Sequence, residues 1–210
     1  MIKVLIVDDH PVVRKGIRQI LEETDDIIVA DESDNGHDML KKVMKYKYDV
    51  ILQDISLPYM NGLEILNELN TLKIKTPVLI LSIYSEEQYA LRTLRAGASG
   101  YLTKGNLPDE LINAIRKLAE GKKYVSPYIS ELLINNIKDA HGKAPHENLS
   151  NRELQILCML ASGKTGNDIA AELSLSIKTI NTYRSRIMKK MGMKNNASLI
   201  RYAIENKMIY

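Results

Sequence analysis

The sequence has little that could cross-link the chain and no long apolar run. Its one cysteine, Cys158, excludes an internal disulfide framework, and its apolar setting (LQILCMLA) predicts an inert thiol on a helix core face. No apolar run approaches the roughly 20 residues that a membrane helix needs. The start, MIKVLIVDDH, carries two aspartates directly after a short apolar run, which is unlike a signal peptide. We therefore expect a cytoplasmic protein.

Length, composition and charge together favour a chain with two different parts. Its 210 residues suit one large or two modest domains, and 45% hydrophobic with 26% charged residues is typical of a globular protein. Residues 148–210 hold 10 Lys and Arg against 4 Asp and Glu, whereas residues 1–147 hold 19 against 22. The basic last third favours contacts with nucleic-acid phosphates, with solvated surface lysines as the alternative.

Strand-like and helix-like patterns alternate through the first 120 residues. The apolar runs of strand length lie at 2–7, 27–31, 49–53, 77–82 and 99–102. The helical patterns between and after them lie at 11–23, 36–46, 62–70, 86–96 and 107–120. This alternation predicts an α/β fold, a doubly wound parallel sheet of five strands with helices on both faces. Sites in such folds lie at the carboxyl ends of the strands.

Five polar residues fall at or just after the ends of these strands: Asp8, Asp9, Asp54, Ser82 and Lys104. Converging carboxylates repel one another unless a cation lies between them, and a group of oxygen ligands without His or Cys favours Mg²⁺ over zinc. If Asp54 attacks a phosphoryl donor in line, the cation, the Lys104 ammonium and the Ser82 hydroxyl can stabilise the developing charge. Each of these residues alone is common near a strand end. Their occurrence together, in this order, is what indicates a phosphoryl and metal site.

Residues 1–122 resemble the receiver domain of bacterial two-component response regulators, which has a flavodoxin-like fold. The segments VDDHPVVRKG and RAGASGYLTK are most similar to those of the NarL/FixJ subfamily. The resemblance implies that Asp54 accepts a phosphoryl group from a sensor histidine kinase. By the same resemblance, Asp9 binds Mg²⁺ directly, Asp8 binds it through water, and Ser56 binds it through its backbone carbonyl. The resemblance also implies that Ser82 and Lys104 bind the phosphoryl oxygens and that Tyr101 changes rotamer on activation.

Three positions depart from that family's usual pattern. Gly105 follows Lys104 where a cis proline is common, so we expect a trans bond, because a non-proline cis bond costs about 2.5–4 kcal/mol. Ile83 follows Ser82 where a small residue is common, and we expect it to narrow access to Asp54. Gln53 precedes Asp54 where a hydrophobic residue is common, and the sequence gives no functional reason for it.

Beyond the receiver-like segment every pattern is helical. We predict a helix at 127–138, a polar linker at 139–148, and a small all-α domain at 148–210, so that 123–147 joins the two domains. Ser150 and Glu153 form the pattern of a capping box at the start of the next helix. Gly163 and Gly192 mark predicted helix ends.

The segment SIKTINTYRSRIMKKM (176–191) has the pattern of a DNA-recognition helix. An apolar stripe of Ile177, Ile180, Ile187 and Met191 predicts its buried face. The opposite face holds Lys178, Asn181, Thr182, Ser185 and Lys189, although a polar face is more often only solvated. The preceding GNDIAAELSLS supplies the shorter helix and turn of a helix-turn-helix.

Residues 149–209 resemble the LuxR-type output domain through LSNRE, GKTGNDIAAEL and KTINTYRSRIMKKM. The resemblance assigns base contacts to Asn181, Thr182 and Ser185. Phosphate contacts then fall to Lys178, Arg184, Arg186 and Lys189.

Together the two segments predict a transcription regulator controlled by phosphorylation, rather than an enzyme. We expect it to dimerise on activation and to bind double-stranded promoter DNA at inverted or direct half-sites. A phosphatase of the haloacid-dehalogenase type is a weaker alternative, because such enzymes need an Asp where this chain has Ser56. A regulator that binds DNA without phosphorylation stays open.

Overall fold

The computed structural model describes residues 1–84, 86–138, 144–206 and 208–209. The chain divides into two compact units, Met1–Leu133 and Ile134–Tyr210, and each is described by itself. Among the described residues no helix is both long and apolar enough to span a membrane.

The first unit is a parallel sheet whose strands alternate with helices. The strands are β1 (Ile2–Val7), β2 (Ile27–Ser33), β3 (Val50–Asp54), β4 (Val78–Ser82) and β5 (Gly100–Thr103). The helices are α1 (Pro11–Glu22), α2 (Gly36–Lys45), α3 (Gly62–Thr71), α4 (Glu86–Arg95), α5 (Leu107–Ala119) and α6 (Pro127–Lys138), the last of which runs past the end of the unit. The strand order is β2-β1-β3-β4-β5, with every pairing parallel. The predicted fold class and the predicted helix at 127–138 are confirmed.

Burial explains why β3 and β4 are almost wholly apolar. Every residue of β3 and of β4 is buried, because helices cover both faces of the sheet. On one face, Ile17 and Leu21 of α1 and Leu111 and Ile115 of α5 pack against the strand side chains in a single core. The polar exceptions in these strands, Gln53, Asp54 and Ser82, all lie at carboxyl ends.

The segment after α5 stays attached to the first unit. The Tyr124 backbone nitrogen donates to the Ser99 oxygen over 2.9 Å, and Tyr124 forms a parallel bridge with Gly100. A Cβ at Gly100 would lie 2.8 Å from the Tyr124 carbonyl oxygen, so glycine permits this close approach. Residues 139–143 of the predicted linker lie outside the described residues. Its last part forms a 3-10 helix, Pro145–Asn148, instead of an irregular linker.

The second unit holds the helices α7 (Asn151–Ala161), α8 (Gly166–Glu172), α9 (Ile177–Met191) and α10 (Asn196–Glu205). The capping box predicted at Ser150 and Glu153 is present. Gly163 and Gly192 follow helix ends with φ of 87° and 65°, as predicted. Cys158, the one cysteine of the chain, is buried within α7.

The predicted apolar stripe of α9 is only partly correct. Ile180, Ile187 and Met191 are buried, but Ile177 is 44% exposed. It lies in the first turn of α9, where its Cδ1 would be 2.9 Å from a Cβ added at Gly166, so it covers the start of α8 from the edge of the core.

Candidate functional site

The carboxyl ends of the parallel strands bring three of the predicted site residues together. Asp8 follows β1, Asp54 ends β3 and Lys104 follows β5. The Lys104 Nζ lies 2.7 Å from Asp8 Oδ2 and 3.0 Å from Asp54 Oδ1. All three side chains are largely or wholly buried. The ammonium therefore bridges two carboxylates that would otherwise repel each other.

Burial controls the electrostatics of this pocket. It raises the pKa of Asp54 to about 6, with the nearby Asp8 and Asp9 acting in the same direction and Lys104 acting against them. Burial also acts to lower the pKa of Lys104, but the carboxylates of Asp54 and Asp8 outweigh it, so the net pKa is raised. The Lys104 side chain thus stays an ammonium near neutral pH.

Asp9 and His10 complete the acidic side of the pocket, and sequence reasoning missed the histidine. Burial raises the pKa of Asp9, while His10 acts to lower it. The His10 Nδ1 lies 2.8 Å from Asp9 Oδ1 and 3.3 Å from Asp8 Oδ1. The expectation of a group without His was therefore wrong, although the adjacency in VDDH was visible. The His10 backbone nitrogen also donates to Asp8 Oδ1 over 2.8 Å.

The donor set suits a hard divalent cation. One ligand atom from each of Asp8, Asp9 and His10 lies within 4.8 Å of the others. The buried Asp9 Oδ1 accepts no hydrogen bond of acceptable geometry from the described residues, so it has a lone pair free for a ligand. Two of the three groups are carboxylates, and Asp54 lies across the Lys104 bridge, so oxygen predominates, as Mg²⁺ prefers.

Ser82 and Tyr101 lie on the other side of the pocket, linked through Tyr84. The Tyr84 backbone nitrogen donates to Ser82 Oγ over 2.9 Å, and the Tyr101 hydroxyl donates to the Tyr84 carbonyl over 2.9 Å. Tyr101 is fully buried, and this burial raises its pKa, while a hydrogen bond from Ser82 acts to lower the pKa.

Ile83, expected to crowd Asp54, is 64% exposed. The bond between Lys104 and Gly105 is trans, as expected.

The loop between β3 and α3 carries Ser56. The Ser56 hydroxyl is buried without a hydrogen-bond partner among the described residues. Asn61 caps α3 by accepting from the backbone nitrogens of Leu63 and Glu64, and its own backbone nitrogen donates to the Glu64 carboxylate. This capping box fixes the end of the loop close to Asp54.

In the second unit, α8, a tight turn and α9 form the helix-turn-helix. Ser174 adopts a φ of 53° in the turn, and Ser176 caps α9 by accepting from the Thr179 backbone nitrogen over 3.1 Å. Buried Arg152 of α7 supports the turn, because its guanidinium donates to the Leu173 carbonyl over 3.4 Å and to Gln155 Oε1 over 2.8 Å. Sequence reasoning did not find this support, since the partners are distant in the chain.

The structure places most of the predicted DNA-contact residues on the exposed face of α9. The exposed ones are Lys178, Asn181, Thr182, Ser185, Arg186 and Lys189. Arg184 differs, because it is half-buried and its Nη1 donates to Asn181 Oδ1 over 3.4 Å. The last turn of α9 is joined to α7 by Lys190, whose Nζ lies 2.6 Å from Oε2 of buried Glu153.

The first unit holds a pocket suited to a phosphoryl group, and the second holds a helix-turn-helix. Together they define a regulator with a receiver domain and an output domain. Residues 4–116 match the family model described as response regulator receiver domain, and residues 147–203 match bacterial regulatory proteins of the luxR family. The chain therefore belongs to the NarL/FixJ family of response regulators, which are DNA-binding transcription regulators.

Similar proteins match this sequence over nearly the whole chain. The response regulator UvrY of Escherichia coli K12 is 36% identical over 207 residues, covering 98% of this chain and 95% of UvrY. The response regulator GacA of Pseudomonas aeruginosa is 36% identical over 210 residues, covering 100% of this chain and 98% of GacA.

Solved structures of RcsB share the arrangement of elements. RcsB of Salmonella enterica serovar Typhimurium, bound to a promoter in the presence of the phosphomimetic BeF₃⁻, is 26% identical with a TM-score of 0.66, covering 96% of this chain and 97% of that one. A structure of two RcsB dimers bound to two parallel DNAs is 27% identical with a TM-score of 0.58, covering 96% of both chains.

Proposed function

We propose that a sensor histidine kinase phosphorylates Asp54 and that this phosphorylation controls binding to promoter DNA. The observation that carries the proposal is the buried Lys104 ammonium, 3.0 Å from Asp54 and 2.7 Å from Asp8. In the transfer, an Asp54 carboxylate oxygen forms a bond to phosphorus as the bond from phosphorus to the kinase imidazole nitrogen breaks. The nitrogen keeps the electron pair.

Mg²⁺ is the cation that we assign to this pocket. Asp9 and Asp54 would bind it directly, Asp8 through water, and Ser56 through its backbone carbonyl. The buried Asp9 Oδ1 supports this assignment, because it lies 2.8 Å from His10 Nδ1 yet accepts no well-aligned hydrogen bond from the described residues. When bound, the cation would neutralise the carboxylates and withdraw charge from the phosphoryl oxygens.

On the opposite side, Lys104 and Ser82 are the residues that we assign to the phosphoryl oxygens. Lys104 already points its ammonium at Asp54. The Ser82 hydroxyl would turn toward the phosphoryl group and leave its hydrogen bond with the Tyr84 nitrogen. Tyr101, buried and bonded to Tyr84, would then hold the inward rotamer that corresponds to the phosphorylated state.

We assign the DNA-reading surface to α9. Asn181, Thr182 and Ser185 would contact base edges in the major groove. Phosphate contacts would come from Lys178, Arg184, Arg186 and Lys189. Arg184 would also orient Asn181, since the two side chains are hydrogen-bonded.

We further propose that the chain acts in the cytoplasm as a homodimer formed on activation. One reading helix contacts few base pairs, so two half-sites are needed for specific binding. The dimers of the related RcsB on DNA support this assembly.

Labelling of an Asp54→Asn variant tests the proposal. Incubation with a small phosphodonor and Mg²⁺ should give acid-labile phosphate on the wild type and none on the variant. Asp34→Asn is the matched control, because Asp34 is an exposed carboxylate that also follows a strand end. DNA affinity measured in parallel should rise with labelling only where Asp54 is present. Full labelling of Asp54→Asn, or equal DNA affinity of both forms of the wild type, contradicts the proposal.

A further inference from the structure

The start of α6 is fixed to the receiver by residues that neither the site nor the family assignment explains. Tyr124 is 7% exposed, pairs with the edge of β5 and donates its hydroxyl to the Glu110 carboxylate of α5. Ile129, in the first turn of α6, is fully buried. The chain that follows α5 is therefore packed onto the first unit as far as the first turn of α6.

Ser126 immediately precedes α6, and its hydroxyl makes two hydrogen bonds with other described residues. Its oxygen accepts a hydrogen bond from the Ile129 backbone nitrogen over 3.1 Å, which caps the helix. Its proton is donated to Glu86 Oε2 over 2.5 Å. Glu86 is the first residue of α4, so one hydroxyl joins the starts of two helices.

The start of α4 is in turn connected to the pocket. Tyr84 lies two residues before α4, accepts from Tyr101 at its carbonyl and donates from its nitrogen to Ser82. Its ring also stacks on Tyr89 within α4, with the ring centroids 5.0 Å apart. A change in the hydrogen bond between Ser82 and the Tyr84 nitrogen therefore acts on Tyr84, which packs against α4.

We propose that Glu86 and Ser126 are positioning residues that link the state of the Asp54 pocket to the start of α6. The proposal rests on the function proposed above, in which Ser82 turns toward the phosphoryl group. When Tyr84 loses its bond to Ser82, the start of α4 shifts, and the Glu86–Ser126 bond transmits the shift to the cap of α6. The link thus has two states: Ser82 bonded to the Tyr84 nitrogen, and Ser82 turned toward the phosphoryl group.

Two substitutions at Glu86 separate this link from a purely structural role. Glu86→Ala removes the acceptor of the Ser126 proton but leaves the Ser126 cap on Ile129 intact. Glu86→Gln keeps an acceptor oxygen at the same place and is the conservative control. Ser126→Ala removes both the link and the cap, so Glu86→Ala is the cleaner variant.

The experiment uses the full chain with Mg²⁺ and fluoroberyllate. Bound fluoroberyllate is measured by ¹⁹F NMR, and the dissociation constant is measured for a duplex selected from a random library by the fluoroberyllate-treated wild type. The readout is the ratio of DNA affinities with and without fluoroberyllate. This ratio falls when coupling is lost, whichever of the two affinities changes.

We expect Glu86→Ala to bind fluoroberyllate as the wild type does and to lower the affinity ratio by about fivefold or more. Glu86→Gln should keep the wild-type ratio, and the Glu86→Ala, Ser126→Ala double variant should lose no more than Glu86→Ala alone. A wild-type ratio in Glu86→Ala overturns the link and leaves the proposed function standing. A wild type whose DNA affinity ignores bound fluoroberyllate overturns the proposed function and the link with it.

Discussion

The side-chain nitrogen of Gln53 donates a 2.9 Å hydrogen bond to the carbonyl oxygen of Gly62, and both residues are buried. The bond joins the end of β3, next to Asp54, to the first residue of α3. It therefore closes the loop that carries Ser56. Gln53, which the sequence left without a functional reason, has a structural one. A Cβ at Gly62 would lie 2.8 Å from Gln53 Nε2 and 2.9 Å from Ile55 Cα.

We predict that Gly62→Ala destabilises the receiver unit by about 1–3 kcal/mol, because the added methyl would clash with Ile55 Cα, a backbone atom that cannot move without distorting the loop. Gly16→Ala is the matched control, since Gly16 lies within α1 and has nothing within 4 Å of an added Cβ. It should stabilise by about 0.5–1 kcal/mol through the helix propensity of alanine. Urea unfolding of both variants measures the difference, and a destabilised Gly16→Ala or a neutral Gly62→Ala contradicts this account.

The sequence was sufficient for the parts of the molecule that depend on local pattern and strand-end position. The alternation of runs located β1 to β5, and their ends located Asp54 and Lys104. Contacts between residues far apart in the chain were not accessible, because no periodicity reports them. The Lys190–Glu153 ion pair and the Arg152 contact with Leu173 are of this kind.

Other differences arose from side-chain geometry. His10 was adjacent to the carboxylates in sequence, yet whether its ring faces them depends on the start of α1. Ile177 has the right spacing for the α9 stripe, but the first turn of α9 lies at the edge of the core. Exposure of an apolar residue at a helix end is thus not determined by spacing alone.

Replacing Lys104 should change metal and fluoroberyllate binding in opposite directions. The Lys104 ammonium occupies the space between Asp8 and Asp54 and repels any cation that enters the pocket. Lys104→Met should therefore bind Mg²⁺ more tightly, while fluoroberyllate binding weakens because its own cationic partner is gone. Titration calorimetry for Mg²⁺ and ¹⁹F NMR for fluoroberyllate check the two directions. Lys41→Met, an exposed lysine on α2, serves as control, and a parallel loss of both ligands contradicts the prediction.

Ile83 should slow the loss of the phosphoryl group from Asp54. It follows Ser82 directly and its side chain is 64% exposed, and we expect a β-branched side chain at this position to obstruct water that approaches Asp54. Ile83→Ala should shorten the lifetime of acid-labile phosphate at constant Mg²⁺. Ile83→Val, which keeps the branched Cβ, should stay close to the wild type. A lifetime that is the same in Ile83→Ala and the wild type refutes this role.

Two α9 substitutions should separate base reading from phosphate contact. Asn181→Ala should cost about 1–3 kcal/mol in binding to the preferred duplex and relax the preference at one base pair. Lys189→Ala should weaken binding to all duplexes alike and reduce the slope of log affinity against log salt by about 1. Competition binding at several salt concentrations distinguishes them. A uniform loss in Asn181→Ala, with no change in sequence preference, removes it from the base-reading surface.

The Glu153–Lys190 ion pair should make the helical unit sensitive to acid. Burial acts to raise the pKa of Glu153, but hydrogen bonds from the Lys190 ammonium and from the backbone and hydroxyl of Ser150 prevail and lower it. A carboxyl whose pKa is lower in the folded state stabilises the fold above its unfolded pKa, near 4.5, and this contribution is lost as pH falls through the folded pKa.

Glu153→Gln keeps the capping pattern but removes the charge. It should therefore lower the free energy of unfolding at pH 7 by about 0.5–1 kcal/mol, a small value because Lys190 remains accessible to solvent. The difference from the wild type should shrink below pH 4.5, where Glu153 becomes neutral in the unfolded chain. Urea unfolding of residues 134–210 at pH 7 and pH 3 measures it, with Glu205→Gln, an exposed carboxyl on α10, as control. A difference that is equal at both pH values would show that the Glu153 charge does not stabilise this unit.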